Sequence, residues 1–137
     1  MAVGAKVTKD GKNIALNRTY QSSPDYTYIS QFGIGTGSTT PAESDTALDS
    51  ALTTWNAGAE FKGFSTGYPQ FDETNKKVTI RGLINSTEAN GETITEVGEF
   101  NADGTEKMFS RDVFTGIDKT GNIEIAVVWV HKVLAPS

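Results

Sequence analysis

The segment Gly33-Ile-Gly-Thr-Gly37 is the chain's nearest approach to a phosphate cradle. A dinucleotide fingerprint needs G-x-G-x-x-G opening a helix, with an acidic residue in the following parallel strand. Here the third glycine comes one residue early, and the G-K-[ST] of a P-loop is absent. Gly33, Gly35 and Gly37 therefore read as a structural turn at a bent strand exit. The run Asn101-Ala-Asp-Gly-Thr-Glu106 echoes a calcium loop, but only Asn101 and Asp103 sit where ligands are needed and Glu106 arrives too early. Asp103-Gly104 reads as a hairpin turn instead. His131 is the sole histidine, which rules out a His-rich zinc site, and nothing marks a serine to complete a triad with it. With no cysteine at all, thiolate nucleophiles, thiolate ligands and disulfides are excluded. The expectation is a chain with no catalytic residues, no metal and no cofactor.

Glu96 and Arg111 carry a sharper expectation. If Ile94 and Phe100 point inward, plain strand alternation turns Glu96 inward with them, and Arg111 lies between Phe109 and Val113 on the apolar side of its own strand. A lone buried charge is costly, so two such positions on neighbouring strands suggest a buried ion pair. The alternative is a bulge near Val97 that turns Glu96 outward. Asn17-Arg-Thr and Asn85-Ser-Thr match the glycosylation acceptor pattern, which recurs by chance.

The elements that must position these residues are mostly strands. Turn dipeptides at Asp10-Gly11, Asn90-Gly91, Asp103-Gly104 and Gly121-Asn122 separate short apolar runs. Strands are expected over 14–20, 26–34, 59–64, 77–84, 93–101, 107–116 and 122–134. The last has apolar residues on both faces, so it is either central or half interfacial; Trp129 and His131, with Trp55, are the interface candidates. One short helix is expected over 41–54, where Thr40-Pro41-Ala42-Glu43 resembles a capping box and Leu48, Leu52 and Trp55 fall on one helical face. The fold class is thus an all-β, jelly-roll-like antiparallel sandwich, a single domain over 1–137, with residues 1–12 an ordered strand or an extended arm.

Its 137 residues suit one domain, and 36% hydrophobic residues supply one core. No run is long enough for a membrane helix, and the first residues lack the apolar stretch of a secretory signal. Twelve basic against 17 acidic residues give a net charge of -5, with no basic run longer than Lys76-Lys77. Neither nucleic acid nor an anionic membrane is an expected partner.

Two segments carry a resemblance. Gln31-Phe-Gly-Ile-Gly-Thr-Gly-Ser-Thr-Thr-Pro-Ala-Glu-Ser-Asp-Thr-Ala-Leu48 resembles a stretch in small structural proteins of tailed bacteriophages, where a strand ends in (I/V)G-x-G-(T/S)-(T/S)-x-P and S-D-T-x-L follows. Ile94-Thr-Glu-Val-Gly-Glu-Phe-Asn-Ala-Asp-Gly is similar to that group's I-(T/S)-E-(I/V)-G-L-F-(N/D)-x-x-G hairpin, which leads into an R-x-x-F strand matched by Arg111 and Phe114. Residues 67–72 and 78–81 also resemble the group, so the likeness spans roughly 14–134. It implies a non-enzymatic building block on the outside of the virion: a capsid decoration, or a tail, baseplate or neck accessory. Such a protein is made in the host cytoplasm and assembles with itself, as a homo-oligomer, and with other virion proteins. Glu99 departs from the pattern, which has leucine there. The alternative is a carbohydrate- or receptor-binding sandwich, in which Tyr26, Tyr28, Tyr68 and Trp55 line one concave face.

Overall fold

The computed structural model describes residues 2–3 and 5–133. The chain is a single-domain all-β sandwich of two packed sheets, with one helix among the described residues. In chain order the elements are β1 (Ala2–Val3), β2 (Lys6–Val7), α1 (Lys9–Tyr20), β3 (Ile29–Gly35), β4 (Lys62–Gly63), β5 (Gln70–Asp72), β6 (Lys77–Ile84), β7 (Thr93–Asn101), β8 (Met108–Asp118) and β9 (Ile125–Lys132). One sheet runs β1-β9-β6-β5 and the other β2-β8-β7-β3-β4. All pairings are antiparallel except β1 with β9. The first strands join both sheets: β1 pairs with β9 in one and β2 with β8 in the other.

Period-two alternation builds the core. On β9, Ile125, Val127 and Trp129 turn inward, and on the paired strand β6 so do Ile80 and Ile84. They meet Phe32 and Ile34 of β3 and Ile94 and Val97 of β7 across the sandwich. Trp55, from the long β3–β4 connection, completes this cluster. Its ring centroid lies 5.5 Å from that of Phe32. Trp129 is fully buried and Trp55 is 7% exposed, so neither is an interface residue: both are spent on the core. A smaller apolar cluster of Leu48, Phe100 and Met108 lies on the opposite face of β7 and β8, with Ala51 and Phe61 beside it.

The helix lies in a different place from the expected one. Residues 14–20, read as a strand from their Ile, Thr and Tyr content, form the second half of α1. Thr8 starts that helix: its Oγ1 accepts from the Gly11 amide at 2.9 Å and donates to the Met108 carbonyl at 2.6 Å. Asp10 occupies the first turn and Arg18 the last, both with favourable sign for the helix dipole. Only Gly11 and Ile14 are buried, so a polar surface hid the helix from a reading based on apolar period. Residues 41–54, expected as the helix, instead form turns and an isolated bridge between Gly35 and Ala51. Asp45 and the amides of Asp49 and Ser50 are engaged by side chains of the sheet below, and these bonds compete with helical ones. Among the described residues no helix is long and apolar enough to cross a membrane.

Candidate functional site

Two buried carboxylates stand three residues apart on β7, and opposite pleats send them to opposite faces. A register shift between Ile94 and Glu96 keeps Ile94 in the inter-sheet core while Glu96 turns to the other face. The expected alternatives thus combine. A bulge does turn Glu96 away from the main core, yet the segment 36–50 covers it and leaves it fully buried.

Glu96 is saturated. Its Oε1 accepts from the backbone amides of Gly37 at 3.1 Å and Ser50 at 2.7 Å, and its Oε2 from that of Asp49 at 3.0 Å and from Arg111 Nε at 3.0 Å. Arg111 Nη2 also lies 2.9 Å from Oε2, but out of line, so it adds charge rather than a second hydrogen bond. The third guanidinium nitrogen, Nη1, donates to Asp45 Oδ2 at 3.1 Å. Glu96 and Arg111 are therefore brought together as a buried pair, and Asp45 extends it toward solvent. Nearby, the Thr39 hydroxyl holds the exposed Asp49 carboxyl below the usual carboxylate range, with Arg111 as a smaller cause.

The three glycines serve this arrangement. Gly33 and Gly35 lie within β3 and Gly37 just beyond it, and none adopts a left-handed φ, so they form no turn. Their spacing of two places all three on the face opposite Phe32 and Ile34. A Cβ on Gly35 would meet Glu96 Oε1 at 2.4 Å and the Ser50 carbonyl at 2.6 Å. On Gly37 it would meet the Asp49 Cβ at 2.4 Å. Bare backbone is what lets the covering segment close down on Glu96. Asp103-Gly104 is a true turn: Gly104 has φ 89° and Asp103 Oδ1 accepts from the Thr105 amide at 3.1 Å. Asn101 Oδ1 takes the Lys107 amide at 2.7 Å, so these oxygens close the β7–β8 hairpin. Among the described residues no group of three or more His, Asp or Glu side chains is placed to hold a metal ion.

The second carboxylate, Glu99, faces the interior at one open end of the sandwich and is fully buried. His131 Nε2, from the opposite sheet, stands 2.7 Å from Glu99 Oε2, and the Ser110 hydroxyl donates to that same oxygen. A second register shift, between Glu99 and Phe100, leaves Phe109 unpaired in the ladder, and its ring meets His131 edge-on at 5.3 Å. Serine, histidine and acid are thus all present, but in an order that cannot activate the serine. A nucleophilic triad places the imidazole between hydroxyl and acid, whereas here the acid stands between the other two. The group ties β7, β8 and β9 together. Glu99 lines an apolar cleft of about 250 Å³ whose walls include Tyr28, Phe64, Phe71 and Phe109.

Of the residues singled out from sequence, Glu96 joins Arg111, and His131 joins a partner that sequence reasoning left unassigned. Glu99 stood out only as a departure from the phage pattern, and its meeting with Ser110, Phe109 and His131 was missed because it depends on register shifts and a cross-sheet contact. The signal that existed was alternation from Val97, which sends Glu99 to the core side. Tyr28 reaches the cleft, but Trp55 is sealed in the core, so the expected Tyr26, Tyr28, Tyr68 and Trp55 platform does not form on one face. Compared with models of known families, with curated proteins and with solved structures, the chain matches none of them significantly.

Proposed function

We propose that the chain is a non-enzymatic structural protein of a tailed-phage virion, assembled on the outside of the particle as a capsid decoration or a tail, baseplate or neck accessory. One observation carries this reading. The two segments that resemble phage structural proteins, 31–48 and 94–111, fold onto each other through the Glu96 and Arg111 pair. Gly37 and Asp45 belong to the first segment, Glu96 and Arg111 to the second, and all four meet. The pattern behind the resemblance is then a device for locking a long surface segment onto a sheet. That is work a structural building block needs. Exposed apolar side chains such as Val130, at 48%, and Val133, at 79%, supply surface for a neighbouring subunit.

Light scattering behind a sizing column tests the reading on the purified chain. A discrete trimer, pentamer or hexamer is expected, because virion accessories occupy symmetry axes. A strict monomer at high concentration refutes assembly with itself.

A further inference from the structure

One buried carboxylate oxygen among the described residues has nothing to hold. Glu99 Oε2 takes both Ser110 and His131, while Glu99 Oε1 is buried with no hydrogen-bond donor. An enclosed acceptor left unmatched carries the full desolvation penalty, so native folds rarely keep one unless something arrives to meet it. This one belongs to a side chain that lines the cleft at the sandwich mouth, a frequent place for ligands in β folds. Past Phe71, Val78, Phe109 and His131 the cleft opens into a wider groove of about 660 Å³. At its rim Tyr28 is 65% and Phe71 75% exposed, two large rings held in water beside an apolar slot.

The walls define the occupant. A sugar needs many polar partners, and the cleft offers rings and aliphatic groups around one acidic side chain and one imidazole. A carboxylate ligand is repelled by Glu99. An ammonium ligand satisfies Glu99 but must approach through the adjoining groove, where Lys76, Lys77 and Lys132 outnumber Asp72 and Glu73 and leave the lining net positive. What remains is a flat apolar body with one neutral, strong donor. A phenol has that form: its hydroxyl gives a short charge-assisted bond to a carboxylate, and its ring packs edge or face against other rings.

We infer that the cleft is a binding site for a phenolic group, with Glu99 Oε1 accepting a hydrogen bond from its hydroxyl and Tyr28, Phe71 and Phe109 holding its ring. The group arrives either as a free small molecule or as a tyrosine side chain of a partner protein. The site stands independently of the virion reading.

The test is an amide NMR titration of the full chain with p-cresol and with toluene, which differ only by the hydroxyl. Saturable shifts around Glu99, Phe109 and His131 are expected for p-cresol. Toluene should bind on the order of tenfold more weakly or worse, since it leaves the buried oxygen unpaired. Glu99→Leu should erase that preference while the melting curve reports a folded chain. Should the leucine variant fail to fold, Glu99→Gln keeps an acceptor for Ser110 and should shrink the ratio to a few-fold. N-acetyltyrosinamide separates the sources: binding tighter than p-cresol assigns the site to a partner's tyrosine, and weaker binding assigns it to a free phenol. Equal affinity for p-cresol and toluene, absence of saturation in the millimolar range, or an undiminished preference in the Glu99 variants overturns the inference.

Discussion

Removing the Glu96 carboxylate should come close to unfolding the protein. In Glu96→Ala, Arg111 keeps its charge with a side chain only 2% exposed, and among the described residues the salt bridge left to it is Asp45 at 3.1 Å, with the exposed Asp49 acting from farther off. Breaking a buried pair by deleting one member costs about 3–5 kcal/mol, because the other charge stays buried. The amide of Gly37, a buried residue, also loses its acceptor, which costs about 1–3 kcal/mol. Asp49 and Ser50 are exposed, so water can replace the carboxylate on their amides. Because the guanidinium and the covering segment relax together, the two costs do not add in full, and about 4–6 kcal/mol is expected. A small domain has about 5–15 kcal/mol in total.

Urea unfolding followed by tryptophan fluorescence measures the loss directly, since Trp55 and Trp129 both sit in the main core. Hydrogen exchange at the Gly37 and Ser50 amides reports the local opening. A loss below about 1 kcal/mol, the range of exposed pairs, refutes the reasoning. A cycle with Glu96→Gln and Arg111→Met then separates charge from hydrogen bonding. A favourable coupling on the order of 1–3 kcal/mol is expected for groups in direct contact. Coupling near zero would mean that the backbone amides, not the guanidinium, hold Glu96 in place.

Two further outcomes are expected, one at the Glu96 site and one at the β5–β6 turn. Gly35→Ala should destabilise by about 2–3 kcal/mol or more in thermal melts, because its Cβ collides with Glu96 Oε1 and the Ser50 carbonyl, while Gly63→Ala, whose Cβ meets nothing nearer than the Ser30 carbonyl at 4.0 Å, should stay within about 0.5 kcal/mol; equal effects would show that the close approach is not what requires glycine. Asp72 is held below the ordinary carboxylate range by the side-chain amide of Asn75 first and its backbone amide second. A folded-state pKa depressed in this way stabilises the fold above the unfolded-state value and is lost as pH falls through the folded one, so Asn75→Ala should raise the Asp72 midpoint in a carboxyl NMR titration, and an unmoved midpoint would contradict the assignment.

The strands of the sandwich were legible where one rule governs them. Residues 77–84 and 93–101 were expected as strands and form β6 and β7 over those same residues, because alternation and flanking turns agree there. The helix was not legible. Its cap at Thr8 is a single hydroxyl, its body is polar, and Ile14, Thr19 and Tyr20 have strand-like propensities. The capping box at Thr40 was a real local pattern overridden by tertiary bonds: Asp45 and the Asp49 and Ser50 amides gain more from Arg111 and Glu96 than from a helix ladder. The glycines illustrate a third case. Spacing of two is the strand period, but three glycines suggest a turn unless it is known that something must press on that face. The something is a carboxylate about sixty residues away in sequence, beyond any local signal.

The two acids of β7 show how one strand divides scaffold from site. Glu96 and Glu99 lie on the same backbone three residues apart, both fully buried, on opposite sides of the sheet. Glu96 accepts from Gly37, Asp49, Ser50 and Arg111, and both its oxygens are used. A carboxylate so surrounded has no capacity for a ligand, and its deletion is felt as lost stability. Glu99 has one oxygen doubly engaged and the other empty, beside a cleft rather than beneath a loop. Such a group is oriented by Ser110 and His131 yet still able to accept. Burial alone does not separate a structural acid from a binding one. The difference lies in how many acceptor positions the fold has already filled.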